Sequence, residues 1–238
     1  MKLSIIMPVY NEISTMAESI RRVLNAPVEC AKELIIVDDC STDGTRKYLV
    51  DLVSSAESAG EDGELKILFH DRNLGKGAAI RTALEHATGQ AILIQDADLE
   101  YDPQDYARLL QPINDGRADV VFGNRFHGGA HRVLYFWHCV ANHVLTTLCN
   151  MMTNLNLSDM EVGYKVFRTE VFKSIRIRSD RFGFEPEITI KVAKLGCRIY
   201  EVPISYHGRT YAEGKKIGWR DGLAALCHIL YYRFFDRG

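Results

Sequence analysis

The sequence lacks a strong charge of either sign. Its 29 Lys and Arg residues are nearly matched by 31 Asp and Glu residues, which leaves a formal net charge of −2. No global field therefore draws the chain toward nucleic acid or an anionic membrane, and an anionic partner must be bound by a local cluster of basic residues. We expect no nucleic-acid partner.

The spacing of the cysteines does not indicate a disulfide framework or a zinc site. It has no CxxC pair, and no histidines stand beside its cysteines at the spacing of a zinc site. This pattern favours reduced, mostly packed thiols in a cytosolic protein and argues against a zinc site or a disulfide framework. The six cysteines are Cys30, Cys40, Cys139, Cys149, Cys197 and Cys227.

Long apolar runs are also absent, although a membrane-spanning helix needs about 20 mostly apolar residues. Residues 133–157 carry no Asp, Glu, Lys or Arg but contain many His, Asn and Thr, and the largely apolar residues 223–232 are too few. The N-terminus runs into a strand-like segment and Pro8, without the apolar core or cleavage site of a signal peptide. We expect a cytoplasmic protein that touches a bilayer only at its surface.

The first half of the chain alternates short apolar runs with helix-like segments. Such alternation predicts parallel strands joined by helical crossovers, and therefore an α/β sheet. The strand candidates are residues 3–7, 34–37, 65–69, 91–94 and 120–122. The helix candidates are residues 15–24, 45–53, 78–87 and 103–114, the last with Asp102 as N-cap and Pro103 at its first position. Residues 54–64 are expected to form a surface loop.

Polar residues collect where these strands end, and ligands of open α/β sheets bind outside the carboxyl ends of the strands. Asp96 and Asp98 follow the fourth strand with one residue between them. Two carboxylates so placed can address one point, and hard oxygen ligands suit Mg²⁺ or Mn²⁺ shared with substrate phosphates. A solvated turn with side-chain hydrogen bonds is the alternative, and the pair alone does not decide between them.

Two further segments lie at the same predicted edge. Asp38 and Asp39 end the second strand, where a carboxylate can bind a ribose hydroxyl or a base N–H; the structural alternative is helix capping by Ser41, Thr42 or Asp43. Residues 73–77, Asn-Leu-Gly-Lys-Gly, open the third helix, and their glycines permit an anion to approach backbone N–H groups closely. The segment lacks the spacing of a dinucleotide fingerprint or a P-loop.

Taken together, eight segments resemble the family 2 inverting glycosyltransferases, and more narrowly the dolichyl or polyprenyl phosphate mannose and glucose synthases. They run in one order from Ser4 to about Gly222: PVYNE, VDDCSTDGT, NLGKGAA, DADLEYDP, GNR, SDMEVGYKVFR, RFGFEPEITIK and GRTYAEGKKIGWRDG. The resemblance implies a glycosyltransferase A fold, a Rossmann-like, mostly parallel sheet flanked by helices, with C-terminal amphipathic helices. It implies one domain, with a nucleotide-sugar half at residues 1–125, an acceptor half at 126–218 and an interfacial helix at 219–238.

The resemblance also implies roles for single residues. Asp96, Asp98 and Glu100 should surround a Mg²⁺ or Mn²⁺ ion, with Glu100 standing where similar synthases often carry Gln. The nucleotide sugar should be bordered by Pro8, Tyr10, Glu12, Val37, Asp39, Lys76, Asp96 and Ala97. The donor diphosphate or the acceptor phosphate should face Arg125, Arg209 and Lys215, although a surface salt bridge is the alternative for each of these three.

Asp159 matches the position where many members of the superfamily carry a catalytic base. A phosphate monoester is already largely a dianion at neutral pH, so such an acceptor needs positioning more than deprotonation. We expect Asp159 to orient the acceptor or metal-bound groups and to act as a general base only toward a hydroxyl, with a helix cap as the structural alternative. Asp98, Asp159 and Arg125 are the expected catalytic residues. Glu185 and Glu187 either face the cleft or only supply charge to a first helical turn.

The implied reaction is a single displacement in which polyprenyl phosphate attacks the anomeric carbon and the nucleoside diphosphate leaves with inversion. Residues 133–157 and the C-terminal helix would meet the membrane surface, unless their apolar faces are core. Residues 208–218, which carry Arg209, Lys215 and Lys216, are expected to close over phosphate. A glycosyltransferase with a hydroxyl acceptor and an inactive nucleotide-sugar-binding subunit are the two rival interpretations.

Overall fold

The computed structural model describes residues 1–59, 65–126, 132–133, 135–210, 213 and 218–236, without the side chains of 55–59, 219 and 220. Lys215 and Lys216 lie outside the described residues, as does most of the segment 208–218 expected to close over phosphate.

A seven-stranded mixed sheet forms the centre of the molecule. Its strands are β1 Lys2–Val9, β2 Ala31–Asp38, β3 Leu65–Phe69, β4 Ala91–Ile94, β5 Val120–Asn124, β6 Lys165–Arg168 and β7 Ile199–Pro203. The spatial order is β3-β2-β1-β4-β6-β5-β7. All neighbours pair in parallel except β6, which runs antiparallel to both β4 and β5. The predicted α/β, mostly parallel architecture is confirmed.

Helices connect and cover the strands. They are α1 Ile13–Leu24, α2 Thr45–Ala59, α3 Lys76–His86, α4 Tyr106–Asn114, α5 Phe136–Thr153, α6 Thr169–Ser174, α7 Phe184–Lys194 and α8 Trp219–Phe234. A short 3₁₀ turn, Pro103–Asp105, precedes α4, and the Asp102 side chain accepts a hydrogen bond from the Gln104 backbone N–H as the predicted N-cap. None of the helices in the described ranges is both long and apolar enough to cross a bilayer.

Two local predictions need correction. The loop predicted at residues 54–64 is helical through Ala59, because α2 continues six residues beyond the predicted end at residue 53. Helix α3 begins at Lys76 rather than at residue 78, since Gly75 with φ of 101° supplies a turn that most residues cannot adopt. The second shift brings the Lys76 side chain to the first turn of a helix at the edge of the sheet.

The strands that lead to the site are buried in the core. Every residue of β4 is buried, and so are the central residues of β1 and β2, as expected for parallel strands covered on both faces. The chain leaves β1 toward β2 on one side, while β4 pairs with β1 on the other. A crevice outside the carboxyl ends of the strands is the usual ligand position at such a reversal of strand order.

Candidate functional site

Three loops at the carboxyl edge of the sheet share an uncommon backbone conformation. Asn11 after β1, Cys40 after β2 and Leu99 after β4 have φ values of 54°, 62° and 62°. Side chains other than glycine rarely adopt this left-handed region, and such residues cluster where a functional geometry is held by its surroundings. The strained positions coincide with three of the motifs identified in the sequence.

Asp96 is held by a partly buried lysine, Lys76. Lys76 Nζ lies 2.9 Å from Asp96 Oδ1 and 2.8 Å from Glu185 Oε1, so one ammonium bridges two carboxylates. Burial alone would lower the pKa of Lys76, but the charges of Asp96 and Glu185 outweigh it and raise that pKa above its usual value. Lys76 is therefore a permanent cation beside the acidic motif.

Arg209 pairs with three further carboxylates of this edge. Its Nη2 lies 2.8 Å from Asp98 Oδ2, and its Nε lies 3.3 Å from Glu100 Oε1. Its Nη1 lies 3.3 Å from Glu12 Oε2, on the loop after β1. The structure thus brings together four residues that the sequence placed in one site. Arg209, which was expected to face a phosphate, contacts carboxylates instead.

The acidic motif has the chemistry of a cation site but is not arranged as one. Burial, followed by the charges of Asp96 and Glu100, raises the pKa of Asp98 to about 7. The part of this shift that comes from the neighbouring carboxylates is repulsion that a divalent cation relieves. Within the described residues, however, no three Asp, Glu, His or Cys side chains are grouped so that they could hold a metal ion. Lys76 and Arg209 instead pair with Asp96 and Asp98.

Asp39 binds the loop that opens α3. Its Oδ1 accepts a hydrogen bond from the Leu74 backbone N–H at 2.8 Å, and its Oδ2 accepts one from Gly75 at 2.7 Å. Its Oδ1 also lies 2.8 Å from His70 Nδ1. A carboxylate with this many local partners fixes the glycine loop beside the β2 edge, whatever else it binds.

Arg125 and Asp159 form a bidentate ion pair. Arg125 Nε and Nη2 each lie 2.6 Å from a different oxygen of Asp159, which has no exposed surface. Asn142 of α5 donates to Asp159 Oδ1 at 3.2 Å, and the guanidinium lies 5.1 Å from the ring centroid of Tyr206. The planar fork is fixed by carboxylate and aromatic contacts, a geometry that suits Arg and not Lys.

The two glutamates that open α7 have different roles. Glu185 contacts Lys76 and so belongs to the acidic site. Glu187 has no exposed surface and accepts hydrogen bonds from the backbone N–H groups of Arg178 and Ser179 at 2.7 and 2.6 Å, as well as from Lys191. Glu187 is thus a structural residue that fixes the chain before α7.

Two charged residues beside the site, Lys165 and Glu161, were not identified from the sequence. Burial lowers the pKa of Lys165 to about 8, and burial with the charge of Glu185 raises the pKa of Glu161 to about 7. Lys165 donates to the Met160 backbone carbonyl at 3.0 Å, and Glu161 Oε1 has no hydrogen-bond partner among the described residues. The sequence feature that could have identified them is the presence of charged residues inside the largely apolar run from Met160 to Phe167.

The other nucleotide-sugar residues predicted from the sequence lie at the same edge with different exposure. Tyr10 exposes 39% of its surface, whereas Val37 and Ala97 are buried at 0% and 3%. Pro8 is partly exposed near the end of β1. Tyr10 therefore exposes part of its surface to a ligand, whereas the side chains of Val37 and Ala97 are covered by the protein.

Comparison with known proteins agrees with this architecture. The family model described as Glycosyl transferase family 2 matches residues 4–176. An undecaprenyl-phosphate mannosyltransferase of Micrococcus luteus is 31% identical over 95% of this chain and 92% of its own length. A dodecaprenyl-phosphate galacturonate synthase of Rhizobium johnstonii is 28% identical over all of this chain and 68% of its own length.

Solved structures show the same fold. Glucosyl-3-phosphoglycerate synthase of Mycobacterium tuberculosis, in a crystal structure with Mn²⁺, uridine diphosphate and phosphoglyceric acid, superposes with a TM-score of 0.73. The alignment covers all of this chain and 80% of that one at 18% identity, so it supports the fold and no finer likeness. With the family model matching most of the chain and a relative above 30% identity along nearly its whole length, the protein belongs to glycosyl transferase family 2 and is a glycosyltransferase.

Proposed function

We propose that the protein transfers a sugar from a nucleoside diphosphate to polyprenyl phosphate with inversion of the anomeric carbon. The observation that carries the proposal is the bidentate Arg125–Asp159 pair beside the acidic edge, because a planar, fixed guanidinium suits recognition of a phosphate. Two relatives matched over nearly the whole chain are named for undecaprenyl and dodecaprenyl phosphate acceptors.

The donor would bind with a divalent cation, Mg²⁺ or Mn²⁺. Asp96, Asp98 and Glu100 fit such an ion in chemistry, since they offer hard carboxylate oxygens, and burial together with the charges of Asp96 and Glu100 raises the pKa of Asp98 to about 7. When bound, the ion would neutralise charge on the leaving diphosphate. Lys76 would add a fixed positive charge at the first turn of α3.

Asp159 would act by positioning. Both of its oxygens are engaged by Arg125, so its role toward a phosphate acceptor is to hold the guanidinium that binds that phosphate. The attacking phosphate oxygen needs no general base, because the second pKa of a phosphate monoester lies near 6. Tyr10, exposed at the end of β1, would stack on the nucleobase.

The reaction would take place at a membrane surface, because the proposed acceptor carries a long apolar chain. Helices α5 and α8 pack against each other, and both have large exposed apolar side chains, including Trp137, Met151 and Phe234. Amphipathic helices with such residues bind at the boundary of headgroups and acyl chains. We propose a cytoplasmic protein bound peripherally to the membrane.

The function is tested by a screen of UDP-, GDP- and dTDP-sugars with a short-chain polyprenyl phosphate and Mn²⁺ or Mg²⁺. We expect a phosphate-linked sugar product with at least one donor, and loss of turnover on EDTA addition or in Asp98→Ala. Asp102→Ala is the matched control, because it removes a carboxylate from the same loop that only caps the 3₁₀ turn. Transfer to saccharide hydroxyls and not to the lipid phosphate would contradict the proposal and favour the hydroxyl-acceptor rival.

A further inference from the structure

We propose that Arg209 and the divalent cation exchange with each other at the acidic edge: the guanidinium neutralises the carboxylates in the metal-free protein, and metal binding displaces it. The inference rests on the proposed metal site and assigns to Arg209 a role that a phosphate ligand alone would not have. It concerns the free protein, before any donor is bound.

The contacts of Arg209 are those expected of a side chain that takes the place of a metal ion among the carboxylates. One guanidinium uses three different nitrogens to reach Asp98, Glu100 and Glu12, at 2.8, 3.3 and 3.3 Å. The side chain is only 17% exposed, so the pairs are partly shielded from water. Ion pairs of this kind are stronger than surface pairs, because screening by solvent is reduced.

The same contacts keep the carboxylates apart from a cation-binding arrangement. Asp96 is pulled toward Lys76, and Asp98 and Glu100 toward Arg209. A divalent ion that requires oxygens from Asp98 and Glu100 must therefore take them from the guanidinium. The two cations cannot both have their full set of contacts, so their binding is antagonistic.

A backbone tether keeps Arg209 near the site when its side chain leaves. The His207 N–H donates to the Glu100 backbone carbonyl at 2.8 Å, and Tyr101 and Tyr206 form a β-bridge. Neither bond involves a carboxylate of the acidic motif, so both persist after exchange. The displaced guanidinium stays within reach of an anion, such as the diphosphate that arrives with the metal.

Coupling of this kind is reciprocal and has a sign that can be measured. If Arg209 only bound the donor diphosphate, its removal would leave the affinity of the free protein for metal alone unchanged. If Arg209 competes with the metal, its removal strengthens metal binding. Typical couplings between sites correspond to about 5-fold to 150-fold changes in affinity.

The experiment is a calorimetric titration with Mn²⁺ alone, without nucleotide, of wild type, Arg209→Gln and Arg46→Gln. We expect Arg209→Gln to bind Mn²⁺ about tenfold more tightly than wild type. Arg46→Gln is the matched control for loss of a positive charge at the same sheet edge, since Arg46 pairs with Asp38 at 3.6 Å and not with the acidic motif. The control should stay within about twofold of wild type, because that more distant charge is largely screened.

The outcomes separate the inference from the proposed function. If wild type binds Mn²⁺ and Arg209→Gln binds it no more tightly, the exchange is overturned but the proposed metal site is not. Absence of Mn²⁺ binding in all three proteins overturns both. Thermal unfolding checks that each variant is folded. If Arg209→Gln is not folded, Arg209→Lys is used instead, because it removes the forked guanidinium and should strengthen Mn²⁺ binding by a smaller factor. Unchanged Mn²⁺ affinity in Arg209→Lys would overturn the exchange.

Discussion

Asp159 illustrates how a residue's partners limit its chemistry. Its two oxygens accept hydrogen bonds from Arg125 at 2.6 Å, and its Oδ1 accepts a further bond from Asn142. Both oxygens of this carboxylate are therefore already engaged by side-chain donors of Arg125 and Asn142. The contacts favour positioning over general-base catalysis, which is the distinction between a phosphate acceptor and a hydroxyl acceptor.

Asp159→Asn should therefore reduce turnover less than Asp98→Ala does, and should raise the KM for polyprenyl phosphate because Arg125 loses one of its two anchors. The comparison is made by steady-state kinetics at pH 7.5. Asp119→Asn is the control, since it breaks a similar Arg–Asp fork with Arg198 on the surface, before the start of β5 and so at the opposite end of that strand from Arg125. Equal losses in Asp159→Asn and Asp98→Ala would indicate a general base and a hydroxyl acceptor.

Gly163 limits the room around Asp96. An added Cβ at this position would overlap Asp96 Oδ2 and lie 2.9 Å from Tyr101 Cε2, so both side chains would have to move. We expect Gly163→Ala to weaken Mn²⁺ binding and turnover at least tenfold, by displacing a proposed metal ligand. Gly222→Ala is the control, because its Cβ meets nothing within 4 Å and should stabilise α8 by up to about 1 kcal/mol. Wild-type Mn²⁺ affinity in Gly163→Ala would contradict the assignment of Asp96.

At the scale of elements, the hydrophobic pattern predicted most of the sheet. Residues 65–69 and 91–94 match β3 and β4 as they stand in the structure, because short apolar runs bounded by polar turns have few alternatives. The antiparallel strand β6 was not predicted. Its neighbours β4 and β5 are distant in sequence, and the pattern of a four-residue run does not specify its partners or direction.

The site was predicted in its location and less well in its contacts. Strand ends fix where Asp39, Asp96 and Arg125 lie, since parallel strands present their carboxyl ends at one edge. Which carboxylate pairs with which cation depends on packing between distant segments. The contacts of Glu185 with Lys76 and of Arg209 with Asp98 are of this kind, and no spacing in the sequence encodes them.

Glu33 of β2 joins three elements through one buried carboxylate. Its oxygens accept hydrogen bonds from Ser4 Oγ of β1 at 2.6 Å, from the Thr88 N–H before β4 at 2.6 Å, and from Lys2 Nζ at 2.7 Å. Burial acts to raise the pKa of Glu33, but these bonds outweigh it and lower the pKa to about 2. A depressed pKa means that the stabilisation is complete above the unfolded value of about 4.3 and is lost as the pH falls toward 2.

Glu33→Gln should therefore lower the free energy of unfolding by about 2 kcal/mol at pH 7, and the difference from wild type should disappear between about pH 4.5 and pH 2. Urea denaturation over this pH range measures it. Glu18→Gln is the control, because the pKa of Glu18 is also lowered to about 2 by Arg21 and Arg22 but the group lies on the surface of α1. A constant difference at all pH values would show that Glu33 acts through packing and not through its charge.

At the scale of the whole molecule, exposed apolar residues follow helical stripes. On α5, Trp137, Val144 and Met151 recur every seven residues and expose 75%, 52% and 70% of their surfaces. On α8, Leu223 and Leu230 repeat the spacing. The opposite sides of both helices contribute to a buried cluster that also includes Met160 and Ile190. The helices are thus anchored to the protein on one side and carry apolar surface on another.

A membrane-bound orientation makes these stripes the contact surface. The double variant Trp137→Ser/Met151→Ser should reduce binding to phosphatidylethanolamine–phosphatidylglycerol vesicles at least tenfold in a flotation assay, because each large side chain contributes about 1.5 to 3 kcal/mol when buried in an apolar phase. It should retain transfer to a short-chain, water-soluble acceptor, since neither residue contacts the acidic edge. Leu195→Ser removes another exposed apolar side chain, 55% accessible, just after α7, and should bind vesicles as wild type does. Equal vesicle binding by wild type and the double variant would mean that the stripes meet another partner and that the acceptor reaches Arg125 by a different route.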